Sequence, residues 1–265
     1  MPPVTTTAVL FDLDDTLFDH WGCTRVALGA LQASHDAFGA WPFEAFESAH
    51  RQLLEALHLE VLAGRLTVDD ARLQRFRRLF EQAGGDASEA LARAAAAEYR
   101  ERYVEAWRPV SGALELLQAL HGRVALGVVT NNVAGEQRMK IDACGFGPLL
   151  DAVVISEEAG VAKPDPRIFE LALATLGRAP EAAVMVGDAW GTDIAGARAA
   201  SIRPVWFNRF GAVSPDPSVQ EITSLAPVDA ASALILGAER VDAVAKPSES
   251  RSRIPQSPIP NPQSR

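Results

Sequence analysis

A chain of 265 residues with 48% hydrophobic side chains has apolar mass for one large domain, or for a domain carrying a smaller inserted one. Its formal net charge of −9 is spread along the chain, and no basic stripe interleaved with aromatics is present, which argues against polymeric nucleic acid as a partner. The two cysteines, Cys23 and Cys144, lie far apart and without metal-ligand spacing, so a zinc site and a disulfide framework are not expected. Neither a basic-flanked apolar leader nor a run of about 18 apolar residues is found, and the expectation is a cytoplasmic protein with no membrane partner.

The first predicted element is a short buried strand, Val9-Leu10-Phe11, which runs directly into Asp12, Asp14 and Asp15. Open α/β sheets bind ligands at the C-terminal edge of their strands. Carboxylates this close repel one another unless protons or a cation offset them, so the cluster suits Mg²⁺ or a division of acid and base roles. Alone, the same residues also fit a helix N-cap or an acidic turn.

From 19 to 106 the periodicity is helical: Phe43, Phe46, Leu53, Leu57 and Val61 recur at three- or four-residue steps with some drift, as do Leu73, Phe76 and Phe80. Gly64, Gly84-Gly85 and Pro109 punctuate these helices, and Trp107-Arg108-Pro109 marks the end of the insertion. Its aromatics, among them Trp21, Trp41, Phe46, Phe76, Tyr99 and Tyr103, are expected in a core rather than against a ligand. In the turn 63–67, Gly64 stands beside Arg65. Facing the site, that guanidinium would hold a second anionic or carbonyl group of a substrate; facing away, it is exposed surface.

The next strand, 124–129, ends at Thr130-Asn131-Asn132, again with polar residues at its C-terminal end. Apolar runs at 152–155, 183–186 and 204–207 then alternate with helix-length segments at 166–176 and 192–200. This alternation predicts an α/β fold, a Rossmann-like three-layer core around a parallel sheet with right-handed connections. The core takes in 1–18 and 107–240, the helical insertion 19–106. Residues 241–265, rich in Pro, Ser and Arg, bury too little to offset their ordering entropy and are expected to be a disordered tail.

Four stations along the chain resemble the haloacid dehalogenase superfamily of phosphatases. They are DxDxT at Asp12, Asp14 and Thr16; Thr130 ending a second strand; Lys163 before a proline; and GDxxxxD at Gly187, Asp188 and Asp193. The resemblance spans residues 8 to about 207, and four stations in order are far more specific than any one. It implies an HAD-like core with a helical cap. The insertion looks like the cap of phosphoglycolate phosphatases, N-acylneuraminate-9-phosphatases, β-phosphoglucomutases and pyrimidine 5′-nucleotidases.

The residue types suit phosphoryl transfer. A phosphomonoester dianion repels an anionic attacker, so an Asp nucleophile needs a metal and a cation beside it. Asp12 is the candidate nucleophile, and Asp14 the candidate acid and base, roles the resemblance also implies. Asp12 and Asp188, with a backbone carbonyl of Asp14, would hold Mg²⁺, and Asp193 would orient water or Lys163. Thr130 and the Asn131 amide would hold the phosphoryl group while Lys163 neutralises its charge.

The expectation is a Mg²⁺-dependent phosphatase of a small soluble phosphomonoester, a nucleoside monophosphate or a sugar phosphate, acting as a monomer or homodimer. A phosphomutase and a non-catalytic binding protein are the alternatives. Asp14 disfavours dehalogenation, since a halide departs without a proton. His20 and His121 fall in no station and receive no role.

Overall fold

The computed structural model describes residues 5–62 and 64–237, and the segment 241–265 lies outside them. Six parallel strands form a sheet in the order β3-β2-β1-β4-β5-β6. They are β1 (Ala8–Phe11), β2 (Ala125–Thr130), β3 (Ala152–Ile155), β4 (Ala183–Gly187), β5 (Arg203–Phe207) and β6 (Gln220–Ile222). All four residues of β1 are buried, because the strand is central and covered on both faces. Side chains alternate along it: Val9 and Phe11 share one face with Val184 and Val186, while Ala8 and Leu10 share the other with Ala183 and Met185.

In chain order the helices are α1 (His20–Ser34), α2 (Asp36–Gly39), α3 (Phe43–Leu62), α4 (Val68–Gln82), α5 (Glu89–Glu105), α6 (Ala113–Leu120), α7 (Ala134–Ala143), α8 (Ser156–Ala159), α9 (Pro166–Leu176), α10 (Ala195–Ala199) and α11 (Val228–Leu236). The Ala8 and Leu10 face is covered by Ile168, Phe169, Ala172 and Leu173 of α9 and by Ala197 of α10. Local chemistry sets the ends of α9: the Asp165 side chain accepts from Arg167 N, Pro166 opens the first turn, and Gly177 closes the helix in the left-handed region at φ 62. On the opposite face, Leu116, Leu117 and Leu120 of α6 and Ile235 of α11 share one apolar cluster with Phe11 and Val186.

Helices α1 to α5 lie between β1 and β2, as the periodicity predicts. Helix α1 packs on α5, α5 on α4, and α4 on α3. Phe38 stacks against Phe46 and Phe80, with centroids 4.6 and 4.4 Å away. The expected core aromatics Phe46, Phe76, Phe80, Tyr99 and Tyr103 are buried, and Trp41, Phe43 and Trp107 pack against them partly covered.

The chain enters and leaves this helical layer at one place. Phe18 bridges Pro109, Val110 N donates to Leu17 O (2.7 Å) and Asp19 N donates to Arg108 O (3.1 Å). Asp19 caps α1 and binds two guanidinium groups, Arg108 at 2.7 Å and Arg209 at 2.8 Å.

Two features depart from the sequence reading. Strand β6 has one buried residue in three and no apolar run to announce it. The helix expected over 192–200 is divided, with a π turn over Trp190–Ile194 preceding α10. That wider turn carries Asp193, fully buried, to the end of the sheet. Among the described residues no helix is long and apolar enough to cross a membrane.

Candidate active site

From β1 the chain builds outward to β2 and β3 on one side and to β4, β5 and β6 on the other, so a crevice opens at the carboxyl ends of β1 and β4. Asp12 sits there, one residue beyond β1, its N–H still donating to Val186 O at 2.9 Å. A tight turn follows, in which Leu13 O accepts from the N–H groups of Thr16, Leu17 and Phe18 and Asp15 takes the left-handed region at φ 62. Asp tolerates that conformation better than most residues. Thr16 is fully buried and ties β1 to β4: its Oγ1 accepts from Asp188 N (3.1 Å) and donates to Asp188 Oδ1 (3.3 Å).

Lys163 reaches the crevice from the loop after α8. Its Nζ lies 2.5 Å from Asp12 Oδ1 and 2.7 Å from Asp193 Oδ1, and all three residues are buried. Asp193 Oδ2 accepts from Ala189 N at 3.0 Å. Asn131 fixes the lysine segment, its side chain donating to Lys163 O (2.9 Å) and accepting from Lys163 N (2.8 Å). That side-chain amide therefore positions Lys163.

One carboxylate oxygen from each of Asp12, Asp188 and Asp193 lies within 4.8 Å of the others. Burial pushes Asp188 up, and the carboxylates of Asp12 and Asp193 add to it. Burial also pushes Asp12 up, in spite of Lys163. Burial alone would lower Lys163, yet Asp12 and Asp193 hold it well above the usual lysine value. Three carboxyl groups around one ammonium can ionise together only if a further cation joins them, and an all-oxygen donor set of this kind fits a hard divalent cation such as Mg²⁺.

Asp14 points to a different cation. Its Oδ1 lies 2.7 Å from Lys140 Nζ, and its Oδ2 accepts from Gln137 Nε2 at 2.9 Å. Burial opposes ionisation, but Lys140, His20 and the Gln137 hydrogen bond together outweigh it and hold Asp14 well below the usual carboxylate range. The same Gln137 nitrogen donates to Thr130 Oγ1 at 2.7 Å, which links Thr130 to Asp14. Neither Gln137 nor Lys140 is among the residues singled out from sequence. Their signal is spacing: both are fully buried, on the face of α7 that also carries Ile141.

A cavity of about 290 Å³ extends from Asp14, Asn131 and Asn132 to the inserted helices, where His20, His58 and Tyr103 line it. His20 thus belongs to the site wall, its Nδ1 2.7 Å from the Tyr103 hydroxyl, although no motif marks it. Arg65 does not line this cavity. It pairs with Glu60 at 2.7 and 2.9 Å and is largely exposed, so it is surface, the second of the two outcomes its turn allowed.

The model of the haloacid dehalogenase-like hydrolases matches residues 6–201. The chain belongs to that family. It is 37% identical to the phosphoserine phosphatase of Thermus thermophilus over 76% of this chain and 88% of that protein. It is 29% identical to the pyrimidine 5′-nucleotidase YjjG of Escherichia coli over 78% and 88%. Among solved structures, the HAD-hydrolase YfnB of Bacillus subtilis, described as bound to magnesium, superposes with a TM-score of 0.68 over 86% of this chain and 99% of that one, at 24% identity. These hydrolases thus share this fold.

Within this hydrolase the end of β4 is tightly built. A Cβ at Gly187 would collide with the Asp193 carboxylate, so Asp193 occupies the space a side chain there would need. Gly187→Ala is expected to push Asp193 off Lys163, lowering stability by about 1–3 kcal/mol and reducing kcat. Thermal melts and steady-state assays of the variant check this, and wild-type values in both would show that the approach is slack.

Proposed function

We propose that this hydrolase is a Mg²⁺-dependent phosphatase that cleaves a small phosphomonoester through an aspartyl-phosphate on Asp12. The observation that carries the reading is the pair of separately held carboxylates, Asp12 on Lys163 and Asp14 on Lys140. Two acids in different environments divide the roles of attack and proton transfer. Asp14 with its own partners also argues for a leaving group that needs a proton, an alkoxide rather than a halide. The relatives named as phosphoserine phosphatase and pyrimidine nucleotidase support phosphate ester chemistry. Their leaving groups differ, so they do not fix the substrate.

A carboxylate oxygen of Asp12 attacks phosphorus, and the bond to the leaving oxygen breaks. Asp14, which takes up a proton from solvent as the dianion binds, then gives that proton to the leaving oxygen. Lys140 keeps Asp14 ionised before substrate arrives; the phosphate dianion beside it works against Lys140 and favours proton uptake. In the second step water attacks phosphorus, Asp14 takes the proton from water, and the bond to Asp12 breaks. Thr130 and Lys163 hold the phosphoryl oxygens throughout. Asp12, Asp188 and the Asp14 carbonyl would hold Mg²⁺, which supplies charge neutralisation between nucleophile and dianion. The inserted helices close the cavity wall and exclude water from the first step.

Hydrolysis of para-nitrophenyl phosphate is expected to require Mg²⁺ and to stop with a chelator. Apparent Mg²⁺ affinity should also strengthen as pH rises through neutrality. Buried Asp12 and Asp188 have raised pKa values, so the metal-free site retains protons that the cation must displace, by up to about tenfold in affinity per pH unit for each proton. Activity titrated against Mg²⁺ across this range reads both effects. Metal-independent turnover would refute the metal assignment, and a flat affinity would refute the proton competition.

A further inference from the structure

The cavity wall opposite in sequence to the catalytic strands is cationic. Arg72 and Arg75 of α4 and Arg100 of α5 all line it. Arg72 and Arg100 share one partner, Glu136 Oε2 of α7, at 3.0 and 3.3 Å. Arg75 has none: it is 6% exposed, makes no salt bridge among the described residues, and its Nε is buried without a hydrogen-bond partner. Its guanidinium carbon lies 5.1 Å from the Tyr99 ring centroid, a contact that gives the Nε–H no acceptor.

The charges do not balance. Arg72, Arg75, Arg100 and Lys140 face three carboxylates within the linked cluster, Glu136, Asp14 and the exposed Asp69 that Arg72 also meets at 3.3 Å. Glu55 also lines the cavity, but it is exposed and has no salt bridge to these residues. A buried guanidinium without an acceptor is costly, and its neighbours on the same face of α4, Phe76, Leu79 and Phe80, show that an apolar residue suits the position. The planar fork of arginine matches the oxygens of a carboxylate or phosphate. Arg75 lines the same cavity as Asp14, so a group held there lies on the side of the site where, on the phosphatase reading, the leaving oxygen takes its proton.

We propose that Arg75, flanked by Arg72 and Arg100, receives an acidic group on the leaving alcohol, so that the preferred substrate is a small phosphomonoester bearing a second anion. This rests on the phosphatase reading and narrows its substrate class. A cavity of about 290 Å³ limits that alcohol to a small one.

The test compares esters that differ only in the second anion: phosphoglycolate against ethyl phosphate for a carboxylate, and propanediol bisphosphate against 3-hydroxypropyl phosphate for a phosphate. The wild type should favour the acidic member of at least one pair by about ten- to a hundredfold in kcat/KM, the range expected for hydrogen bonds to a charged group. The preferred pair tells carboxylate from phosphate. In Arg75→Gln that ratio should fall towards one through a rise in KM for the acidic ester, and Arg75→Lys should restore part of it. A ratio does not depend on the fraction of folded enzyme, and Arg100→Gln should lower it too if Arg75→Gln yields no folded protein. Equal hydrolysis within both pairs by the wild type, or a preference that survives these substitutions, overturns the inference while leaving the phosphatase intact. Failure to hydrolyse any phosphomonoester, para-nitrophenyl phosphate included, overturns both.

Discussion

Asp12→Asn is expected to abolish turnover and leave the fold intact. The substitution removes the attacking oxygen and one of the three clustered carboxylates. Burial already disfavours the Asp12 charge, so a neutral amide of the same shape imposes little strain, and Lys163 keeps Asp193 as its partner. The other carboxylates are already engaged: Asp14 is bound to Lys140 and Gln137, Asp193 is buried under Lys163, and Asp188 accepts from Thr16. Loss of a nucleophile costs at least about three powers of ten in rate. Steady-state kinetics on protein with a native circular dichroism spectrum measure it. Near-normal turnover in that protein would sink the aspartyl-phosphate mechanism.

Lys163→Met should damage stability and activity together. The ammonium bridges Asp12 and Asp193, and without it the cluster keeps buried carboxylates and no counter-charge. Breaking a buried pair from one side costs about 3–5 kcal/mol. For a protein of this size that is roughly 6–20 °C in Tm. The pH dependence has a definite sign. Carboxyl groups with folded pKa values above their unfolded ones favour the fold at acid pH and withdraw that support as pH rises, so the deficit of the variant should grow from acid to neutral pH. Lys163 itself, with its pKa raised, contributes fully below the usual lysine value and adds no slope in this range. Mg²⁺ should recover part of the loss by supplying the missing charge. Melts at two pH values, with and without Mg²⁺, read all three effects, and an unchanged Tm would show that the lysine is not what balances the cluster.

The strand ends of the candidate site were legible because their chemistry is local. Asp12, Thr130 and Asp188 each stand at or just beyond the end of an apolar run, and a strand end in a parallel sheet faces the crevice wherever the rest of the chain goes. Lys163 was legible only as one of four stations in order. Gln137, Lys140 and Arg75 were not, because their side chains act across elements that periodicity cannot pair. What sequence shows of them is a polar residue at a buried helical position, which reads as drift until the opposing helix is known. Arg65 shows the converse error: a guanidinium in a glycine turn is conspicuous, yet Glu60 claims it. The anion-binding chemistry considered for that turn belongs, on the present inference, one helix face away at Arg75. Strand β6 escaped because Gln220-Glu221-Ile222 pairs at an edge, where backbone hydrogen bonds rather than apolar content define a strand.

The joined entry and exit at Asp19 and Arg108 bear on how such a protein changes over generations. To the sheet, the helical passage between those residues is a loop whose ends are already hydrogen-bonded together, while Ala8 to Phe11 stay in register with Ala125 to Val128 regardless of what the loop contains. Closure entropy grows only slowly with loop length, so the passage can be lengthened, trimmed or exchanged at small cost to folding. Inheritance can therefore treat the two halves separately. On the proposed reading, mutations in the helices change what the cavity accepts, while the strand ends that carry Asp12 and Thr130 stay as they are.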